Sequence, residues 1–232
     1  MSVKVERNVP LLSTEDRKKF NTFYVESLKI GASFWLKSEL EFLYWLKIEF
    51  DPNVIDFLPQ HPVIIDQFRP VQRIYTFDMW VKYRNGIEHC IDIKPTDHLV
   101  KLENGENGPE NWRNWLSFFD LHSLQYKLVT EVTLSPDMTF LMNAEQILPY
   151  LLDLDIAKIA AVSEKIMQLY TYDRNLSIAA IGKNLPTLDK ELLQAVTFWL
   201  FYNEELCSDD VHKFGLSQGT EFFKNESLNI DA

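Results

Sequence analysis

The chain has 232 residues, of which 46% are hydrophobic and 13% aromatic, and it carries a formal net charge of −11. That much apolar matter suits one large domain or two modest ones and excludes a disordered tail. The acidity argues against a protein that grips DNA unaided through a basic face, and two cysteines, Cys90 and Cys207, fit neither a disulfide framework nor a Cys-rich zinc site.

No apolar run approaches the roughly 18–20 residues of a membrane span. The opening MSVKVERNVP lacks the apolar stretch of a secretory signal. A cytoplasmic protein is expected. In chain order, residues 14–30 read as a helix with Phe20, Phe23, Tyr24 and Leu28 at core-facing spacings. A second helix is predicted over 39–49, opened by Ser38 as N-cap and closed at Asp51-Pro52-Asn53. VIDFLP and PVIID follow as short strands, and YTFDMWVKYRNGIEHCIDIKP, residues 75–95, as a hairpin. Residues 97–110 hold a loop rich in Asn and Gly. A helix over 110–123 and a strand over 126–134 complete an α/β domain.

From about Asn143 the texture turns helical, with segments at 144–151, 155–171, 176–183 and 188–203. The expected division is an α/β domain over 1–143 and a mostly helical domain over 144–232.

The hairpin register decides what its charged residues can do. A two-residue Asn85-Gly86 turn would mix apolar and charged groups on both faces and set Asp78 and Asp92 on opposite sides. A three-residue loop, Arg84-Asn85-Gly86, with a left-handed glycine closing a G1 bulge, aligns Phe77, Met79, Val81 and Tyr83 with Ile93, Ile91, His89 and Ile87. Burial selects this second register, because a one-residue slip turns every side chain over. It sets Asp78 opposite Asp92, Thr76 opposite Lys94 and Lys82 opposite Glu88 on the other face. Lys94 shares that face with Asp92, as strand residues two apart do. Two opposed carboxylates repel unless a proton or cation lies between them, and a hard ion such as Mg2+ takes such oxygen ligands. A solvated polar face is the plainer alternative.

Asp, then acid-x-Lys on adjoining strands, is the pattern of restriction-endonuclease-like nucleases. With SELEFLYWLKIEFDPNVIDFLPQHP, YTFD, IDIKP and YKLVTEVTL in that order, residues 35–134 resemble the TnsA-type endonuclease subunits of heteromeric transposases. The matching positions are Ser38 and Glu41, Val54 through Gln60 and Pro62, Tyr75, Thr76 and Asp78, then Asp92, Lys94 and Pro95. Phe77 stands where proline is common, Trp80 lies one place beyond the usual phenylalanine, and Asp92 replaces a more frequent Glu or Gln.

The resemblance implies a restriction-endonuclease-like domain of mixed sheet flanked by helices, followed by a winged-helix-like domain. It implies metal held by Asp78, Asp92, the Ile93 carbonyl and Glu41, with Lys94 acting on the attacking water or the developing charge. The metal is Mg2+, with Mn2+ able to substitute. The reaction implied is hydrolysis at the 5′ ends of a transposable element. The partners implied are a TnsB-like DDE transposase, a TnsC-like AAA+ ATPase, and DNA at the element ends met within the complex. Glu41 has a second reading, since Ser38-Glu39-Leu40-Glu41 is also a capping box. Glu39 is the alternate carboxylate, but it points about 200° away around the helix.

Gln60 and Pro62 are expected to shape a strand bend, and His89 to be a core or rim histidine. His61, His89, His98, His122 and His212 show no zinc spacing. Trp112, Trp115, Phe118 and Phe119 fall at core spacing, while Lys101 and Arg113 read equally as phosphate contacts or surface charge. The segment TLDKELLQAVTFWLFYNEEL is too apolar and acidic for a DNA-reading helix, so the second domain is expected to bind protein. The alternatives to a transposase nuclease are an inactive nuclease-fold adaptor and a stand-alone restriction or repair nuclease.

Overall fold

A computed structural model of the chain describes residues 21–64, 74–98 and 125–226. Two compact units divide between Ser135 and Pro136.

In the first unit the chain opens with a hairpin, β1 (Phe23–Ser27) and β2 (Ala32–Leu36), where a helix was expected through residue 30. Gly31 turns the chain at φ 60. Alternation inside the strands buries Val25, Phe34 and Leu36 while Tyr24 and Ser33 face out. The period of two prevails over the 3.6-residue reading because the aromatic residues pair across the hairpin, Tyr24 with Trp35. The part of that predicted helix before residue 21 lies outside the described residues, as do the predicted helix over 110–123 and most of the loop before it.

Helix α1 (Glu39–Phe50) starts where Ser38 accepts a hydrogen bond from the Glu41 amide at 3.1 Å, as an N-cap should. It is buried on most sides, through Tyr44, Trp45, Leu46, Ile48 and Phe50. Phe34 ties it to the strands, meeting Trp45 and Phe57 edge-on at 6.2 and 5.9 Å. Glu49, fully buried, accepts from Ser27 Oγ at 2.6 Å and the Lys29 amide at 3.0 Å, and so fastens the hairpin turn to α1.

Strands β3 (Val54–Ile64), β4 (Ile74–Tyr83), β5 (Glu88–Ile93) and β6 (Gln125–Val129) form a mixed sheet in that order, with β5 and β6 parallel. The two expected short strands are one, β3. Its Pro59 and Pro62 stand on an edge strand, the place in a sheet to which proline is ordinarily confined. A parallel pair needs a crossover of a dozen residues or more, and residues 94–124 supply it. Central β5 is buried over its last four residues, as a strand covered on both faces should be.

The predicted strand over 126–134 stops at Val129. Thr130 caps a helical turn, α2 (Glu131–Leu134), through a reciprocal box in which its side chain and that of Thr133 each accept from the other's backbone amide. Threonines that favour strands on average become capping groups here.

The second unit contains α3 (Met138–Leu152), α4 (Ile156–Leu169), β7 (Asn175–Ser177), α5 (Ile178–Asn184), α6 (Lys190–Tyr202), β8 (Leu206–Cys207), α7 (Asp210–Lys213) and β9 (Glu221–Lys224). The three strands form an antiparallel sheet in the order β7-β9-β8. Helix α6 is the centre of the core: Leu193, Ala195, Val196, Thr197, Phe198 and Leu200 are buried, and α3, α4 and α5 pack on it. Asn143 of α3, 1% exposed, donates to the Val211 and Phe214 carbonyls at 2.7 Å each and accepts from the Leu216 amide at 3.1 Å. A buried amide satisfied this fully fixes one loop path rather than merely tolerating it.

Candidate functional site

The hairpin turn uses three residues. Tyr83 donates to the Ile87 carbonyl and Gly86 to the Tyr83 carbonyl, both at 2.9 Å, and Gly86 takes φ 84 as a G1 bulge requires. Met79 pairs with Ile91, Trp80 with Cys90, Val81 with His89 and Lys82 with Glu88. Phe77, Met79, Val81, Ile91 and Ile93 are buried on one face. Lys82 and Glu88 make their ion pair at 3.5 Å.

The opposite face, on which Asp78 and Asp92 alternate with Trp80 and Cys90, is less solvated than expected. Trp80 and Cys90 are themselves 5% and 3% exposed, and Asp92 is 2% exposed. The carboxylates therefore sit in a largely apolar surround, where charge interactions are strong and unpaired charge is costly. Cys90 is no nucleophile: burial first, then Glu88 and Asp92, push its thiol up to about 12. His61 is 5% exposed, packs its ring 5.9 Å from Trp80, and is held below the ordinary histidine pKa by burial.

Lys94 is the hub. Its ammonium lies 2.6 Å from Asp78 Oδ2, and the same oxygen accepts the Ile93 amide at 2.8 Å. Burial by itself would lower the Lys94 pKa. Asp78 foremost, then Asp92 and Glu41, outweigh it and hold the pKa above the ordinary lysine value. All three predicted carboxylates thus lie within electrostatic reach of one ammonium. The main chain fixes its root: the Lys94 amide donates to the Val129 carbonyl at 2.9 Å, and the Thr96 amide to both Glu131 oxygens at 3.0 Å. The role expected of Ile93 was a carbonyl ligand to metal; the structure shows its amide donating to Asp78.

Glu41, 6% exposed, extends from the first turn of α1. The reciprocal half of the expected capping box differs from its usual form, because Glu41 meets the Lys37 amide and the Ser38 hydroxyl. Its Oε2 accepts the Lys37 amide at 3.0 Å and its Oε1 meets Ser38 Oγ at 3.5 Å, close to the helix entry. It also feels Asp78 and Lys94. Its pKa is raised, first by burial and further by Asp78, against the opposing pull of the Lys37 amide and the two lysine charges. The alternate, Glu39, is exposed.

Three neighbours carried no such assignment in the sequence. Tyr126 of β6 donates its hydroxyl to Asp92 Oδ2 at 3.2 Å; only the parallel pairing of Cys90 with Tyr126 puts it there. Gln60 falls between Pro59, opposite Met79, and His61, opposite Phe77, and so lies in line with Asp78. It has φ 52, a left-handed conformation that costs a non-glycine residue about 1–3 kcal/mol and concentrates at functional sites. Lys37 places its ammonium 2.8 Å from Gln60 Oε1. The positive φ has no signature in sequence, because glutamine is not a residue that favours it.

The donors are carboxylate oxygens, and three acids around one ammonium leave an excess of negative charge, a set suited to a hard divalent cation. Among the described residues, no group of three or more His, Cys, Asp or Glu side chains is arranged to hold a metal ion. A site of one or two carboxylates completed by water and substrate phosphate requires no such group. Also among the described residues, no helix is long and apolar enough to cross a membrane. No protein-family model and no curated protein matches the chain.

Proposed function

We propose that this chain is a metal-dependent DNA endonuclease subunit of a heteromeric transposase, of the TnsA type with a restriction-endonuclease-like first domain, which cuts the 5′ ends of the element by phosphodiester hydrolysis. The observation that carries the reading is the three-residue turn, which places Asp78, Asp92 and Lys94 on one sheet face where Glu41 reaches them from α1. The mixed sheet with its parallel β5–β6 edge is compatible with that fold.

Asp78 and Asp92, with the Ile93 carbonyl, would hold Mg2+ or Mn2+, helped by Glu41 through a coordinated water. When bound, such an ion lowers the pKa of a coordinated water and neutralises phosphoryl charge. The chain's own residues supply the rest. Lys94, kept protonated by the surrounding acids, presents an ammonium to the attacking water and to the charge that grows on the phosphoryl oxygens. Asp78 holds that ammonium in place. The apolar flank of Trp80 and Cys90 keeps bulk water from screening these charges.

With a net charge of −11, the chain would receive DNA from a DDE transposase subunit rather than capture it. The second unit, with three helices packed on buried α6 beside a small antiparallel sheet, supports the winged-helix-like expectation. The burial of α6 speaks against its use as a groove-reading helix and favours binding of the transposase or the ATPase regulator.

A second reading is an inactive adaptor bridging those partners. It is favoured by the tight Asp78–Lys94 pair, in which the lysine already occupies one carboxylate oxygen. Cleavage by the assembled complex, compared with Asp78→Ala and Asp92→Ala, separates the two. Loss of 5′ cutting with 3′ cutting intact supports the nuclease; equal 5′ cutting by all three leaves the adaptor.

A further inference from the structure

Two lysines flank the Glu41 carboxylate, and their circumstances differ. Lys94 is ion-paired with Asp78 at 2.6 Å. Lys37 rests on the carboxamide oxygen of Gln60 at 2.8 Å, a neutral acceptor, while its own amide is tied to Glu41 Oε2 at 3.0 Å. Its charge acts on the Glu41 carboxylate, but its ammonium is held against a neutral acceptor at the rim of the acidic cluster. An ammonium has three donors, and a carboxamide occupies one. Both Lys37 and Gln60 are partly exposed, so an incoming anion can reach them.

Gln60 is shaped for this contact at a cost. It stands in the interior of β3, in line with Asp78, with φ 52 where its strand neighbours are extended. The backbone thus departs from the strand conformation at the residue whose side chain meets Lys37, beside the strand that carries Asp78.

We infer that Lys37 is a substrate-phosphate contact, gripping a phosphodiester of the DNA backbone beside the bond to be cut, and that Gln60 is the positioning residue that holds its ammonium ready. This deepens the nuclease reading and rests on it. A chain so acidic repels DNA at most of its surface, so a cation fixed next to the carboxylates gives the backbone a defined point of attachment. Lys94, held by Asp78, then serves the charge that develops during the reaction.

The test is single-turnover 5′ cutting by the assembled transposase complex, using DNA ends in which the phosphates flanking the cut are replaced one at a time by neutral methylphosphonates. Lys37→Ala should slow cutting roughly tenfold on unmodified DNA, the loss of one hydrogen bond to a charged group. It should add no further loss on the one substrate whose contacted phosphate is already neutral. Lys37→Arg should restore most of the rate. Gln60→Ala, which keeps the charge, should give a smaller loss that still vanishes on that same substrate, a pattern that misfolding would not produce. Wild-type rates for Lys37→Ala, or an equal loss on every substrate, overturn the inference while wild-type cutting leaves the nuclease reading intact. No 5′ cutting by the wild-type complex, with 3′ cutting present, removes both.

Discussion

Lys94 and Asp78 form a single closed contact: the ammonium is 2.6 Å from an oxygen that also accepts the Ile93 amide at 2.8 Å, and both side chains are mostly shielded, at 30% and 15% exposure. A pair this close and this sheltered is coupled energetically as well as spatially. Asp78→Asn and Lys94→Met, made singly and together, should show a coupling of about 0.5–3 kcal/mol in denaturant unfolding. Additive losses would show that the contact does not persist in solution. In cleavage assays Lys94→Met should lower kcat by about 10²–10³ with little change in KM, since its charge serves the transition state.

Glu41 gives a pH-dependent test that needs no partner. Its carboxyl has an ordinary value of 4.5 and a raised one in the folded chain, with burial as the main cause. The folded state therefore binds the proton more tightly than the unfolded state. The resulting stabilisation is complete below pH 4.5 and is lost as pH rises through the folded value. Glu41→Gln keeps an acceptor for the Lys37 amide but cannot ionise. Its melting temperature should match the wild type below pH 4.5 and exceed it by a few degrees at neutral pH in EDTA. A variant that is less stable than wild type at neutral pH would mean that the carboxylate is a stabilising cap and not a strained member of the cluster.

What could be read from the sequence was whatever a local period or a single turn determines. The register of β4 on β5 follows from Gly86 and from the burial of Phe77, Met79, Val81, Ile91 and Ile93, and Ser38 marks the start of α1. What escaped depends on partners distant in sequence. Residues 14–30 carry aromatic spacings that fit a helix, but from Phe23 onward the chain is a hairpin in which Tyr24 meets Trp35. The stretch from Thr130 to Leu134 has strand propensity, yet the Thr130–Thr133 box turns it into a helix. The site shows the same division. Asp78, Asp92 and Lys94 share a face by alternation alone, whereas the burial of Asp92 and its bond to Tyr126 require the parallel pairing of β5 with β6.

Tyr126 should matter through Asp92. Its hydroxyl is 3.2 Å from Asp92 Oδ2, so it orients one of the carboxylates proposed to hold the ion. Tyr126→Phe removes that bond with little change in shape, and should cost about 0.5–1.5 kcal/mol in stability. Groups that orient a metal ligand typically change affinity by about 10–100-fold when removed. The Mg2+ concentration for half-maximal cutting should rise accordingly, while the rate at saturating Mg2+ stays near that of the wild type. An unchanged Mg2+ requirement would assign Tyr126 to packing alone.

The left-handed backbone of Gln60 makes an order of stabilities that runs against the usual strand rule. In an ordinary strand interior glycine is less stable than alanine, by roughly 0.5–1 kcal/mol, because it loses more freedom on folding. At φ 52 the alanine Cβ is crowded against the backbone and glycine is not. Gln60→Gly and Gln60→Ala delete the same carboxamide and the same contact with Lys37, so their difference isolates the backbone. Gln60→Gly should be the more stable by about 1 kcal/mol, measured by denaturant unfolding of the full chain, with both variants equally impaired in 5′ cutting. The reverse order would show that Gln60 is an ordinary extended residue. Lys37 would then have no strained partner holding it beside the carboxylates.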